Sequence, residues 1–535
     1  MLTNISSSSI ANFIPFSIGQ LTRVRPLNCL IYAIALGILA TSLYFTFSYL
    51  KNRFSYRQET NAPIPALFHR TLPPSLPPTC QVQPVAPLSP PQEPLLTFDL
   101  LVQKSQAFAQ SVPFPTVNNL IKNFAVTPQL QTEVLEHARA TRPILHAKTF
   151  HLIEEFLNHK RQTGSAIEKA LYQTLSPEEF LDRLLSKRPL MFMQASDQYL
   201  LRDGKRDEGG FETIGTAQEQ SPLCLSDYLS YDEMQLSALI GVSVPTHFIN
   251  TGSRYNYAKL GKKVCEAKGI YVGLVGARFE RPGVMEFQHM LITPEQNCRE
   301  KGYGRLADPS HPQTQANRMW AKFYGEKTGE KDNFPSFEEA VADQTGQYLC
   351  ILPDCYLNKK VYKERLKLIL EPFLQEANQR AKEQNKQAYL HLAGLGLGVW
   401  KVCDEQSDLM LEVYAELLAK HEFAHISDLH FAYFPPHSTC GGVGDGESLH
   451  THGRPIKIHF SNRDPADRLE GENQGKLLVA QYAWDGNAYP GNEYWAGALS
   501  ASGDPAAACC SFIPELQNPL INPCLRAKQA FIASQ

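Results

Sequence analysis

Two stretches of this sequence hold residue types whose spacing suits chemistry. The first follows the apolar run KLLVAQYA and reads Asp485-Gly486-Asn487-Ala488-Tyr489-Pro490-Gly491-Asn492-Glu493, then Ser502-Gly503-Asp504-Pro505. Carboxylates at Asp485, Glu493 and Asp504, in loops of Gly, Asn and Pro, can stabilise a developing positive charge or activate water. They could equally hold a hard cation such as Mg²⁺. A solvated pair of loop acids is the plainer reading of Asp485 and Glu493. Asp504, ahead of Pro505 and an alanine run, also has the grammar of a helix N-cap with proline at the first helical position. The second stretch is Gly394-Leu395-Gly396-Leu397-Gly398-Val399-Trp400. Alternate glycines let backbone amides approach an anion without interference from Cβ. A tight strand-to-helix turn would look the same. The stretch lacks both the GxGxxG spacing and a GK[ST], which argues against a Rossmann nucleotide site and a P-loop.

These loops need elements to hold them. GIYVGLV from Gly269, AYLHLAG from Ala388, AHISDLHFAYF, PIKIHFS and KLLVAQYA read as strands, alternating with the helical stretches VYKERLKLILEPFLQEANQRAKEQ and DLMLEVYAELLAK. Alternation of this kind predicts an α/β domain with a mixed sheet flanked by helices, over residues 226–535. Both candidate loops fall just past buried strands, where open α/β sheets collect their sites. Upstream, residues 96–225 carry apolar residues three and four apart and read as a helical region. A capping-box spacing appears at Ser176 with Glu179, and again at Ser230 with Glu233.

With 51 basic against 54 acidic residues in 535, no sequence-wide field attracts a polyanion, so no nucleic-acid partner is expected. The 12 cysteines show no CxxC and read as free thiols in a reducing compartment, the cytosol. His437, Cys440, His450 and His452 match no standard zinc spacing, so no metal ligands are assigned. Cys29 to Leu50 runs for 22 residues without a charge, which predicts a single transmembrane helix behind a polar leader of residues 1–28. Arg23 and Arg25 precede it and Lys51, Arg53 and Arg57 follow, a weak lean toward a cytoplasmic C-terminal side. Residues 51–95, with eleven prolines between 61 and 94, read as a semi-rigid linker and a potential proline-rich ligand for a partner.

The pair formed by GVMEFQHMLITPEQN and HLAGLGLGVWKV resembles the signature and diphosphate loops of poly(ADP-ribose) glycohydrolases. The stretch from about Ser226 to Pro523 is similar to the macrodomain-like, MavL-like ADP-ribosylhydrolases found in effectors of intracellular bacteria. The resemblance implies a macrodomain-like fold that binds ADP-ribose, and places Asp485, Glu493 and Asp504 as the catalytic acids of a ribose site. It implies ligand contacts from Glu286, Gly394, Gly396, Leu397, Gly398, Val399, Trp400, Asn487, Gly491 and Asn492, and an adenine slot at Trp400, Tyr494 or Trp495. One departure is that Gly276-Ala277-Arg278 stands where the glycohydrolases carry three glycines, and Phe287 follows Glu286 where they carry a second glutamate. The expected function is a membrane-tethered hydrolase that removes ADP-ribose from a protein side chain in the cytosol, or in a host cytosol for a secreted effector. It requires no cofactor unless the acids hold Mg²⁺. The alternatives are a non-catalytic ADP-ribose binding module of the same fold, and an anchored scaffold that recruits a partner through its proline tether.

Overall fold

The computed structural model describes residues 96–261 and 264–533. The expected leader, transmembrane helix and proline-rich linker lie outside the described residues. Among the described residues no helix is long and apolar enough to cross a membrane.

The architecture is mixed α/β, built on one nine-stranded sheet. In chain order its strands are β1 (Arg142–His146), β2 (Gly241–His247), β3 (Lys268–Leu274), β4 (Ala388–Leu392), β5 (Ile426–Ala432), β6 (Ser448–Thr451), β7 (Arg454–Ser461), β8 (Leu477–Ala483) and β9 (Phe531–Ala533). Across the sheet they lie in the order β6-β7-β5-β4-β8-β3-β2-β1-β9. The run β7-β5-β4-β8-β3 is parallel throughout. It therefore brings the C-terminal ends of five strands, among them Leu274, Leu392 and Ala483, to one edge.

Alternation along β8 shows how both faces are covered. Gln481 donates to the Tyr414 hydroxyl on helix α3 (Glu405–Lys420), while the next residue, Tyr482, points to the opposite face and donates to Gln517. On the first face α3 packs against the long helix α2 (Lys359–Glu383).

The region read as helical is not purely so. Arg142–His146 is the last but one strand of the sheet, antiparallel to β2 and parallel to the edge strand β9. Pro143 suits it poorly to a helix interior, and Ile144 and Leu145 are fully buried. Met191–Met193 forms a further short strand, whose Phe192 reaches the candidate site described below. Both capping boxes are present, Ser176 with Glu179 and Ser230 with Glu233.

A buried acid ties the first described helix, α1 (Phe98–Ser111), to the sheet domain. Glu515 accepts from the Ser105 hydroxyl and, at 2.6 Å, from the Ile121 amide. Burial pushes its carboxyl from the usual 4.5 up to about 7. A pKa raised in the folded state means that folding binds a proton between those two values, so stability falls as pH rises from about 4.5 to about 7 and stays lower above. Gln at this position keeps an acceptor for Ile121 and gains a donor for Ser105. Glu515→Gln should therefore flatten the pH dependence and raise stability at pH 8 by about 3 kcal/mol, at ~1.4 kcal/mol per pKa unit. Urea melts at pH 5 and pH 8 check this; parallel pH profiles for the two proteins would refute it.

Candidate active site

Three loops converge at the C-terminal edge of the parallel strands: residues 275–286 after β3, 393–404 after β4 and 484–502 after β8. The first two touch closely. A Cβ placed on Gly276 would stand 2.2 Å from the backbone nitrogen of Gly396. Gly396 itself has φ +71°, a left-handed conformation that favours glycine. From this contact the glycine loop runs outward. Leu397 is half-buried and donates its amide to Gly394. Gly398 is exposed, a Cβ placed on it would meet no atom within 4 Å, and Val399 is 92% exposed. The amides of Gly398, Val399 and Trp400 have no protein acceptor among the described residues. Helix α3 does not begin until Glu405, later than the strand-to-helix reading of this loop requires. Loop amides, rather than a helix terminus, are what this segment offers an anion.

The acids come together beside it. Asp504 lies in helix α5 (Gly503–Cys510), which is preceded by Ser502 at the N-cap, so the N-cap reading of Asp504 is corrected. Its carboxylate instead reaches back along the chain, accepting from the amides of Gly491 at 2.8 Å and Asn492 at 2.6 Å. These residues open the short helix α4 (Asn492–Trp495), and Gly491 takes φ +87° there. The Asn492 side chain donates to Asp485 and exchanges hydrogen bonds with the backbone of Phe192, its oxygen accepting from Phe192 N at 2.8 Å. The clasp Asp504–Asn492–Asp485 thus fixes the loop after β8. Glu493 is half-buried, and its Oε2 has no hydrogen-bond partner.

Burial pushes the Asp485 carboxyl well above its ordinary range; the Glu493 charge adds to the shift and Arg278 opposes it. Asp504 is raised by burial too, with Glu493 and Asp485 adding. Glu493 is itself raised, chiefly by burial. Three acids in one another's field do not ionise independently, and the cluster keeps a proton at pH values where isolated carboxylates are fully charged. One member can then act as an acid or base while another carries charge. A hard cation fits less well, because both oxygens of Asp504 and one of Asp485 already accept hydrogen bonds. Among the described residues no group of three or more His, Cys, Asp or Glu is arranged to hold a metal ion.

The remaining residues singled out from the sequence take varied places. Asn487 is 2% exposed, and neither end of its side-chain amide has a partner. Glu286 is fully buried in an ion pair with Arg365 of α2 and accepts the Arg278 amide at 3.0 Å, so it braces the loop after β3 from beneath. Trp400 is buried at the end of the glycine loop. Tyr494 and Trp495 face away from the edge, Tyr494 bonded to Thr116 and Trp495 packed on Phe108 and Phe114.

Two features at this edge escape sequence reasoning. Arg278, just past β3, has its guanidinium over the rings of Phe192 and Trp400. Tyr433, the residue after β5, is 50% exposed with φ +62°, and its ring lies 5.4 Å under the Arg254 guanidinium. A bulky residue held left-handed at a strand end is strained, and such positions cluster at binding sites. A large aromatic ending a parallel strand beside the glycine-loop strand was the available signal.

The chain is similar to known proteins over most of its length. A family model described as ADP-ribosylhydrolase MavL-like matches residues 99–535. The Drosophila melanogaster protein described as ADP-ribosylarginine hydrolase CG2909 is 36% identical over 416 residues, covering 76% of this chain and 81% of its own length. A second, ADP-ribosylarginine hydrolase CG3568 of the same organism, is 38% identical over 402 residues, covering 73% and 77%.

Proposed function

This chain belongs to the MavL-like ADP-ribosylhydrolase family and hydrolyses a glycosidic bond of ADP-ribose, and on that footing we propose that it frees ADP-ribose from arginine side chains of modified proteins, on a macrodomain-like fold. The arginine acceptor follows the activity for which the two fly relatives are named. The observation that carries the site assignment is the clasp that joins Asp504 and Asp485 through Asn492, next to Glu493 and beside a glycine loop with free amides.

In this reading the loop amides of Gly398, Val399 and Trp400 take the diphosphate, and Tyr433 with Arg254 supplies the flat face for adenine. The bond from ribose C1″ to the guanidino nitrogen breaks with its electron pair going to nitrogen. The acceptor guanidinium is already cationic, so it departs as a neutral guanidine and needs no proton before it leaves. Positive charge builds on C1″, where ionised Asp485 stabilises it. Glu493, whose Oε2 is unpartnered, takes the proton of the attacking water. Asp504 positions the loop that carries both. The uncharged segment 29–50 is proposed as a membrane tether on its composition alone, and retention of the full chain in membranes through an alkaline carbonate wash tests it.

The binding half is tested by titrating free ADP-ribose into the chain by calorimetry. Gly398→Val offers a clean variant, because no protein atom opposes a Cβ there and its φ is not left-handed. Its melting temperature should stay unchanged while affinity for ADP-ribose falls tenfold or more, about 1.4 kcal/mol. Equal affinity in variant and wild type would remove the loop from the ligand site.

A further inference from the structure

Arg278 is 4% exposed, and two of its side-chain nitrogens, Nε and Nη1, donate to nothing. Only Nη2 is engaged, by Glu280 at 2.8 Å. The guanidinium carbon lies 4.7 Å from the ring centroid of Phe192 and 5.7 Å from that of Trp400, so the group is held against two rings. Its own backbone is fixed by the bond from its amide to Glu286. A buried cation with unmade hydrogen bonds is costly, and a fixed planar fork of this kind suits an anionic oxygen. The position specifies which anion. On one side stands Trp400, the last residue of the glycine loop. On the other stands Phe192, whose backbone holds Asn492, which in turn holds Asp485.

We infer that Arg278 is a ligand-reading residue whose free N–H groups take a non-bridging oxygen of the ADP-ribose phosphate nearer the reacting ribose. This rests on the proposed ADP-ribose site and adds to the loop amides a side-chain cation for one of the two phosphates. The glycine-loop amides serve either phosphate; the guanidinium, between Trp400 and the Asp485 clasp, serves the one next to the bond that breaks.

The test compares three probes on the full chain by calorimetry: ADP-ribose, ADP and AMP. AMP lacks the second phosphate. Arg278→Met should weaken ADP-ribose and ADP tenfold or more while leaving AMP within twofold, with an unchanged melting temperature. Arg278→Lys, which keeps the charge but loses the planar fork, should show the same selectivity at smaller size and stands in if the Met variant does not fold. Unchanged ADP-ribose affinity in the variants, or an equal loss for all three probes, would overturn the inference and leave Arg278 a packing residue. Failure of wild type to bind ADP-ribose at all would instead overturn the proposed site.

Discussion

Asp485→Asn should slow single-turnover release of ADP-ribose from a modified protein by roughly 10²-fold or more, while affinity for free ADP-ribose changes far less. Asn keeps the shape and removes the charge. A group that acts on charge developing at C1″ matters more in the transition state than in the bound ground state. The Asn492 side chain donates to Asp485, and an amide oxygen in the same place can still accept that bond, so the loop should hold. Because burial and Glu493 raise the Asp485 carboxyl, wild-type kcat/KM should climb with pH through an apparent value above the ordinary carboxylate range. In the Asn variant the part of that limb due to Asp485 should be lost, leaving the ionisation of Glu493, the base in this reading, to shape the residual activity. A variant that loses binding and release equally would make Asp485 a binding group.

Gly276→Ala should be the most damaging small substitution at the site. The added methyl would stand 2.2 Å from Gly396 N and 2.5 Å from Gly396 Cα, both backbone atoms that no side-chain rotation can clear. Either the loop after β3 or the glycine loop must move. The overpacking should cost ~2 kcal/mol or more in stability. ADP-ribose affinity should fall beyond tenfold, since the moving loop carries the diphosphate amides. The contrast with Gly398→Val is the informative part. Both add bulk to a loop glycine, yet only Gly276 has backbone against it. Urea melts of the two variants check this, and equal stability would mean that the two loops do not meet as described.

The parallel strands were legible because each is a short apolar or alternating run bounded by loop residues, as in GIYVGLV and KLLVAQYA. β1 was not, because five residues between two helices carry too little period to stand out, and only pairing with β2 and β9 makes RPILH a strand. At the site, the acids and the glycine loop could be picked out from residue type and position after a strand. Their partners could not. Asp504 has the local grammar of an N-cap, but its oxygens are taken by amides 12 and 13 residues earlier. Tyr494 and Trp495 sit beside Glu493 in the chain, yet helix geometry turns both into the core, Trp495 against Phe108 of α1 and Tyr494 against Thr116 just beyond it. Arg278 becomes conspicuous only once its unpartnered nitrogens and its place over Phe192 are seen.

The most direct measurement is single-turnover release of free ADP-ribose by the wild-type chain from proteins modified through arginine, serine or glutamate, with and without a chelator. A hydrolase acting through the Asp485–Glu493 acids on arginine-linked ADP-ribose predicts release from the arginine conjugate, slower or absent release from the other two, and no loss of rate with the chelator. Binding of free ADP-ribose with no release from the arginine conjugate would contradict the account and leave a binding module.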